Sequence, residues 1–307
     1  MASKHVAVLM GGWSAEREVS LRSGKACADA LVRAGYRVTP VDVGRDVATV
    51  LAAIKPDCAL NVLHGRPGED GTIQGVLEVL GIPYSHSGVL ASALAMQKDR
   101  AKVTLRDAGV PTPDGSVVSR FEAGKAHVMP PPYVIKPIAE GSSVGVFIVT
   151  EAHAHPPQEL YRDDWAYGDF VLCERYIAGQ ELTCAVLGEE ALDVIEIIPT
   201  VSFYDYEAKY APGGSRHILP APISPNVYQL VRRLSLLAHR ALGCRGVSRA
   251  DFRYDDRMEG TQGLVCLEVN TQPGMTETSL VPELAAYTGM KFEELVRWMV
   301  EDASLNR

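Results

Sequence analysis

The sequence predicts a fold of two classes, an α/β part at the N-terminus and an α+β part after it. Up to about residue 97, short apolar runs alternate with segments of helical spacing, and this alternation favours a parallel sheet with helices on its faces. After that point short strands separated by turn residues dominate. A length of 307 residues, at about 150 residues per domain, indicates roughly two domains.

The N-terminal part contains three predicted strands, each followed by a helix. The first strand is the apolar run 5–10, and Ser14 is expected to cap the helix that continues to Gly35. The other elements predicted here are strands at 37–43 and 58–63 and helices at 48–54 and through Leu80. The polar loops 11–18 and 64–71 follow carboxyl ends of strands, where parallel sheets bind their ligands, so we expect a site at this edge.

The part after residue 97 is predicted to be mainly antiparallel. Residues 132–138 and 146–149 form a hairpin around the loop 139–145, and residues 246–254 pair with 264–270 across an acidic turn. The other elements predicted here are strands at 169–177, 181–188 and 191–199 and helices at 99–108, 225–243 (capped by Ser224) and 292–299. The stretch 200–221 is rich in Tyr, Gly and Pro and shows no period, which indicates a functional loop.

Composition excludes several classes of protein. The net charge of −8 argues against a broad basic face for nucleic acid or anionic lipid. Because the sequence shows neither a membrane-length apolar run nor a signal peptide, we expect a cytoplasmic protein. Its six cysteines are dispersed and form no C-x-x-C pair, so they are interpreted as small core residues in a reducing compartment.

The C-terminal hairpin carries the strongest chemical signal. Alternation places Arg249 and Asp251 on one side of their strand and Glu268 and Asn270 on one side of theirs. Two carboxylates and an amide oxygen suit Mg²⁺, although an ordinary solvated hairpin face would show the same alternation. The tail 271–280, with a Pro-Gly turn and several hydroxyls, favours the metal hypothesis.

The loop 139–145 has the small residues and accessible amides that a phosphate-covering loop needs, and Lys136 precedes it. It also contains G-x-S-x-G with Ser143 at the centre, but a nucleophile elbow requires a following helix, whereas a strand is predicted. A plain hairpin turn remains an alternative. Glu16 lies in a first helical turn, where the helix dipole alone favours a carboxylate, so its presence does not require a function. His64 is likewise explained by a hydrogen bond in the core.

Taken together, these segments resemble the D-alanine–D-alanine ligases of the ATP-grasp superfamily. The resemblance rests on GGWSAEREVSL, HGRPGEDGTIQG, YVIKPIAEGSSVG, FYDYEAKY, SRADF and LEVNTQPGMTETSLVPE, in the family's order and spacing. It implies a Rossmann-like domain (1–97) followed by a two-lobed ATP-grasp fold with a central lobe (98–178) and a C-terminal lobe (179–307). It also implies homodimers and a role in peptidoglycan precursor synthesis.

The resemblance assigns the metal and nucleotide ligands. Asp251, Glu268 and Asn270 would bind two Mg²⁺ ions, with Glu268 bridging and Mn²⁺ able to substitute. Lysines would contact the phosphates, Glu174 the adenine and Glu181 the ribose. The full set of implied ATP ligands is Lys98, Lys136, Ser143, Glu174, Arg175, Ile177, Glu181 and Lys209.

The resemblance likewise assigns the groups that handle D-alanine. Glu16 would bind the first ammonium within a hydrogen-bonded set with Ser142 and Tyr210. The remaining implied substrate contacts are His64, the oxyanion donors Arg249 and Gly274, and Ser279 for the second carboxylate. Because tyrosine stands at position 210, the resemblance implies peptide rather than depsipeptide synthesis. A D-alanine–D-lactate ligase, a serine hydrolase on Ser143 and a catalytically silent nucleotide-binding module are the alternatives.

Overall fold

Three sheets organise the part of the chain that this computed structural model describes, residues 3–142, 144–200 and 214–306. The strands are β1 His5–Met10, β2 Arg37–Asp42, β3 Cys58–Asn61, β4 Gly115–Ser119, β5 Tyr133–Pro137, β6 Phe147–Val149, β7 Phe170–Arg175, β8 Gln180–Leu187, β9 Glu190–Pro199, β10 Ser215–Ile218, β11 Val247–Tyr254 and β12 Leu264–Asn270. The helices are α1 Arg17–Arg33, α2 Val47–Ile54, α3 Thr72–Leu80, α4 Val89–Met96, α5 Lys98–Asp107, α6 Arg120–Lys125, α7 Pro225–Ala241, α8 Leu280–Tyr287 and α9 Phe292–Asp302, with a short 3₁₀ helix at Gln158–Tyr161.

The N-terminal sheet is parallel, in the order β2-β1-β3, as the alternation of strand and helix predicts. Its central strand is fully buried from Val6 to Leu9, because helices cover both faces of such a sheet. Helix α1 begins at Arg17, and the Ser14 hydroxyl accepts from the Glu16 amide at 3.2 Å just before it, as expected of a capping serine. The same hydroxyl donates to the carbonyl of His64 at 2.6 Å. This bond ties together the two loops that leave β1 and β3.

The second sheet is antiparallel, in the order β4-β7-β5-β6. Tyr133 pairs with Val149, so β5 and β6 form the predicted hairpin around the loop 139–145. A strand, not a helix, therefore follows Ser143, which itself lies outside the described residues. The apolar side chains of Tyr133, Ile135 and Val171 form the core beneath this sheet.

The third sheet is antiparallel, in the order β10-β9-β8-β11-β12. Its last two strands pair as predicted, with Asp251 opposite Glu268 and Arg249 opposite Asn270. Helix α7 covers this sheet, and the Ser224 hydroxyl accepts from the Val227 amide at 3.4 Å as the predicted cap. Strand β10 corrects the expectation that the stretch 200–221 lacks regular structure, while residues 201–213 lie outside the described part.

Helices outside the three sheets hold the sheets together. The C-terminal helices α8 and α9 pack in one core with β1, α1 and part of the third sheet. Helix α5 contributes Ala101 and Leu105 to the core of the third sheet. The proposed boundaries at residues 97 and 178 stay a prediction.

Two expectations from composition concern burial and membranes. All six cysteines are free and buried, as expected for small core residues. Within the described ranges, no helix is long and apolar enough to cross a membrane.

Candidate active site

A cavity of about 610 Å³ lies where the three sheets meet. Its walls come from the loops after β1 and β3, the loop 139–145, the β11–β12 hairpin and the segment 271–280. Eleven residues assigned from the sequence line it: Glu16, His64, Lys98, Ser142, Glu181, Arg249, Asp251, Glu268, Asn270, Gly274 and Ser279. Positions that are distant in the sequence therefore face one space.

The carboxylates of the β11–β12 hairpin are held by cations and a hydroxyl. Arg249 binds Asp251 through two parallel bonds, Nε to Oδ1 at 2.8 Å and Nη2 to Oδ2 at 2.7 Å. The Thr183 hydroxyl donates to Asp251 Oδ1 at 2.6 Å, and Lys98 Nζ lies 3.2 Å from Glu268 Oε2. Two oriented carboxylates beside the Asn270 amide are a hard-oxygen donor set, which fits Mg²⁺.

Two of the three residues that are candidates for binding the metal, Asp251 and Glu268, are carboxylates. In the described part of the chain, no group of three or more His, Cys, Asp or Glu residues comes close enough to hold a metal ion. This finding is compatible with a set completed by an amide oxygen and by substrate phosphates, as Mg²⁺ sites commonly are.

Lys98 connects the hairpin to the loop 139–145. Its ammonium donates to the carbonyl of Glu140 at 2.6 Å in addition to facing Glu268, and its side chain is buried. Burial raises the pKa of Glu140, while the charges of Arg66 and Lys98 act in the opposite direction. The loop proposed to cover phosphates is therefore fixed to a lysine at the cavity.

Glu16 and Ser142 meet across the cavity from the hairpin. The Ser142 hydroxyl donates to Glu16 Oε1, although the two residues come from the N-terminal sheet and the second sheet. Ser142 has a φ of +52°, a conformation uncommon for residues other than glycine. Gly65, with a φ of +63°, passes close to Ser14, since a Cβ there would lie 3.0 Å from the Ser14 Cβ and 3.4 Å from the Glu16 carboxylate.

His64 lines the same cavity as Glu16. Its Nδ1 is 3.5 Å from Glu69 Oε1, and its buried Nε2 has no hydrogen-bond partner among the described residues. Burial raises the pKa of Glu69, and the charge of Glu16 adds to this effect while His64 opposes it. His64 therefore brings an imidazole ring, with one nitrogen buried, to the wall of the cavity.

The segment 271–280 brings Gly274 against Ser279. A Cβ at Gly274 would lie 2.9 Å from Ser279 Oγ, so any side chain there would displace the hydroxyl. Ser279 Oγ also accepts from the Thr276 amide at 3.0 Å. The backbone amide of Gly274 and the hydroxyl of Ser279 are in this way fixed side by side.

Some assigned nucleotide ligands lie outside the cavity lining. Lys136 pairs with Glu174, and both side chains are buried. Arg175 is exposed at the end of β7, and Ile177 is buried just after it. Glu181, which does line the cavity, lies 3.5 Å from Arg253. Ser143, Lys209 and Tyr210 lie outside the described residues.

Sequence reasoning missed three contacts at this site. Asn61 and Gln272 exchange hydrogen bonds, and Lys102 pairs with Glu174 at 3.0 Å. His217 lines the cavity with its Nδ1 2.6 Å from Glu283. The only sequence signal for Gln272 was its place in the tail 271–280, since contacts between distant positions leave no local period.

A parallel N-terminal sheet ahead of two antiparallel sheets that enclose one charged cavity defines an ATP-grasp ligase. The family model described as "D-ala D-ala ligase C-terminus" matches residues 106–301, and the model described as "D-ala D-ala ligase N-terminus" matches residues 48–87. The chain belongs to the D-alanine–D-alanine ligase family.

Individual relatives cover the whole chain. The D-alanine–D-alanine ligase of Rhodopseudomonas palustris (strain BisA53) is 73% identical over 304 residues, 99% of each chain. That of Afipia carboxidovorans is 74% identical over 306 residues, 100% of this chain and 99% of the other.

Solved structures show the same fold. The D-alanine–D-alanine ligase from Bacillus anthracis complexed with ATP is 31% identical, with a TM-score of 0.79 over 98% of this chain and 97% of that one. The VanG D-Ala:D-Ser ligase from Enterococcus faecalis is 30% identical, with a TM-score of 0.78 over 98% and 99%. The fold therefore accommodates ligases with different second substrates.

Proposed function

We propose that this chain joins two D-alanine molecules into D-alanyl-D-alanine and converts ATP to ADP and phosphate. The observation that carries the proposal is the cavity, in which the Glu16–Ser142 pair, the Arg249–Asp251 pair and Ser279 face one space. Relatives that are 73% and 74% identical over their whole length and carry this name support it. From the family we also propose peptidoglycan precursor synthesis, a cytoplasmic location and a homodimer.

The first step forms an acyl phosphate. A carboxylate oxygen of the first D-alanine attacks the γ-phosphorus of ATP, and the bond from that phosphorus to the departing ADP oxygen breaks. Glu16, oriented by the Ser142 hydroxyl, binds the substrate ammonium, and His64 is a further contact in the same cavity. Lys98, together with Lys136 and Lys209, spreads the phosphoryl charge, as positioning and electrostatics dominate phosphoryl transfer.

Asp251, Glu268 and Asn270, which lie on paired strands, are the residues that would hold two Mg²⁺ ions. The chemistry that bound Mg²⁺ supplies there is neutralisation of phosphate charge. Arg249 and Thr183 fix the orientation of Asp251, and Lys98 faces Glu268, so the donor set is held by the protein itself.

The second step forms the peptide bond. The amine of the second D-alanine, having given its ammonium proton to water, attacks the acyl carbon, the carbon–oxygen bond to phosphate breaks, and the departing phosphate takes the proton that the amine nitrogen loses. Arg249 and the Gly274 amide stabilise the tetrahedral oxyanion, a class of interaction often worth about 2.7–4 kcal/mol per donor. Ser279, fixed beside Gly274, binds the second carboxylate.

The nucleotide is proposed to lie between the second and third sheets. Glu181 binds the ribose, and Glu174 binds the adenine from β7. The backbone at Arg175 and Ile177 meets the purine edge, and Ser143 contacts the phosphates. The segment 203–210 would close over the site and exclude water.

ADP release from ATP and Mg²⁺ across a panel of D- and L-amino acids tests the proposal. We expect turnover with D-alanine and none with L-alanine, with D-alanyl-D-alanine as the product. D-lactate and D-serine, offered together with D-alanine, test the second substrate, and we expect both to be poor acceptors. Turnover with L-alanine but not D-alanine would refute the proposal, while ester hydrolysis without ATP would support the hydrolase alternative.

A further inference from the structure

A buried lysine that the proposed reaction does not use lies in α5. The Lys102 ammonium is 3.0 Å from Glu174 Oε2, and both side chains are only 3% exposed. The other oxygen of Glu174 pairs with Lys136. One carboxylate therefore lies between two ammonium groups in the protein interior.

The Lys102–Glu174 pair joins two sheets. Glu174 belongs to β7 of the second sheet, whereas α5 packs with Ala101 and Leu105 into the core of the third sheet. The Lys136–Glu174 pair, by contrast, lies within the second sheet, since β5 and β7 are neighbours. Lys102 thus approaches Glu174 from the side of the third sheet, whereas Lys136 approaches it from within the second sheet.

The pair is not arranged for maximal stability. Lys102 Nζ and Glu174 Oε2 are 3.0 Å apart and form a buried ion pair, but the angles at this contact are poor, and neither atom has another hydrogen-bond partner among the described residues. Burying ions costs desolvation energy that attraction repays only with excellent geometry, and replacement by apolar residues is often neutral or stabilising. A buried ion pair of this kind is therefore weak evidence for a purely stabilising role.

The electrostatics show what each lysine does for Glu174. Burial by itself raises the pKa of Glu174, but Lys136 and Lys102 together outweigh it and hold this pKa below its ordinary value. Burial and the charge of Lys136 lower the pKa of Lys102 to about 8. If Lys136 moved away from this group, the pKa of Lys102 would no longer be lowered by its charge. Lys102 would then be the one cation close to Glu174 among the described residues.

We propose that Lys102 is a positioning residue that keeps Glu174 ionised and oriented towards adenine while the ATP phosphates bind Lys136. This inference rests on the proposed nucleotide contacts of Glu174 and Lys136. A lysine that leaves Glu174 for a phosphate takes one counter-charge away from a buried carboxylate. Lys102 remains 3.0 Å from Glu174 Oε2 and keeps a positive charge beside it.

The test is Lys102→Met in the full chain, with steady-state kinetics in which ATP is varied at saturating D-alanine and D-alanine is varied at saturating ATP. We expect the KM for ATP to rise at least tenfold, while kcat and the KM for D-alanine stay within about twofold. Arg100→Met is the matched control, because Arg100 lies on the same helix and is exposed, and we expect no change. An unchanged KM for ATP in Lys102→Met, or equal losses in all three parameters, would overturn the proposal.

Glu174→Gln and the double variant Lys102→Met/Glu174→Gln show whether Lys102 acts through Glu174. We expect the double variant to have the same KM for ATP as Glu174→Gln, and a further multiplicative increase would overturn the proposal. The double variant still leaves the buried Lys136 at this position, so Lys102→Gln, which removes the charge of Lys102 and keeps a polar group beside Glu174, provides the test if Lys102→Met does not fold. If Glu174→Gln leaves the KM for ATP unchanged, the nucleotide contact of Glu174 is wrong and the positioning role falls with it. If Glu174→Gln raises the KM for ATP but Lys102→Met does not, the nucleotide contact of Glu174 stands and only the positioning role of Lys102 is refuted.

Discussion

Gln272 joins the segment 271–280 to the parallel sheet, and its removal has a calculable cost. Its Nε2 donates to the Asn61 carbonyl at 2.6 Å and its Oε1 accepts from Asn61 Nδ2 at 2.9 Å, with both side chains fully buried. Gln272→Met keeps the volume but deprives two Asn61 groups of this partner. At about 1–3 kcal/mol for each buried group left unsatisfied, and with the desolvation cost of the glutamine amide removed, we expect a loss of about 2–4 kcal/mol.

Equilibrium urea unfolding measures this loss. A decrease of 2–4 kcal/mol is a large part of the free energy of unfolding of a typical domain, roughly 5–15 kcal/mol. The urea concentration at the midpoint of unfolding should therefore fall clearly. Gln262→Met is the matched control, because Gln262 is exposed in the turn between β11 and β12 and should change stability by no more than about 0.5 kcal/mol. Equal midpoints for the two variants would mean that the Asn61–Gln272 exchange does not stabilise the junction.

Three further changes test the metal, the second substrate and the pH dependence. Glu268→Gln should lower turnover at least a hundredfold at millimolar Mg²⁺, with partial recovery at higher Mg²⁺, and unchanged kinetics would mean a merely solvated hairpin face. Tyr210→Phe should shift the ratio of dipeptide to depsipeptide towards D-lactate by about 2- to 12-fold, the equivalent of a 0.5–1.5 kcal/mol hydrogen bond, and a constant ratio would contradict it. Burial lowers the pKa of His239 to about 4, so the unfolded chain binds a proton below about pH 6.5 that the folded chain excludes, and stability should fall by up to about 3 kcal/mol between pH 6.5 and 4. His239→Gln should flatten that slope in urea titrations, and an unaltered slope would assign it to other groups.

The sequence predicts well those features that repeat along the chain or between neighbouring strands. The pairing of β11 with β12 follows from alternation and an acidic turn, and with it the placement of Asp251 opposite Glu268. The strand after Ser143 was predictable from its apolar run, which is enough to reject a nucleophile elbow. The second bond of the Ser14 hydroxyl, to the His64 carbonyl, was not predictable, because it joins loops that are 50 residues apart.

Contacts between distant segments could not be predicted, because they depend on how finished sheets pack. Asn61 and Gln272 are separated by 211 positions, and neither residue type indicates the other. The contact of Lys102 could not be predicted for the same reason. Helical spacing shows which face of α5 is buried, but the partner of a lysine on that face, Glu174, lies on a strand of another sheet.

The cations of the site illustrate why residue type alone leaves the chemistry open. Lys98 faces Glu268, Arg249 binds Asp251, and Lys136 pairs with Glu174, so each basic residue lies against an acidic one. Such pairs offset part of the cost of keeping charges in a low-dielectric cavity. Because an incoming phosphate attracts the lysines and a cation attracts the carboxylates, substrate binding would exchange partners rather than desolvate isolated ions. If Lys136 leaves Glu174 to bind a phosphate, the buried carboxylate needs a second positive charge beside it. Lys102 lies at the distance required to provide that charge.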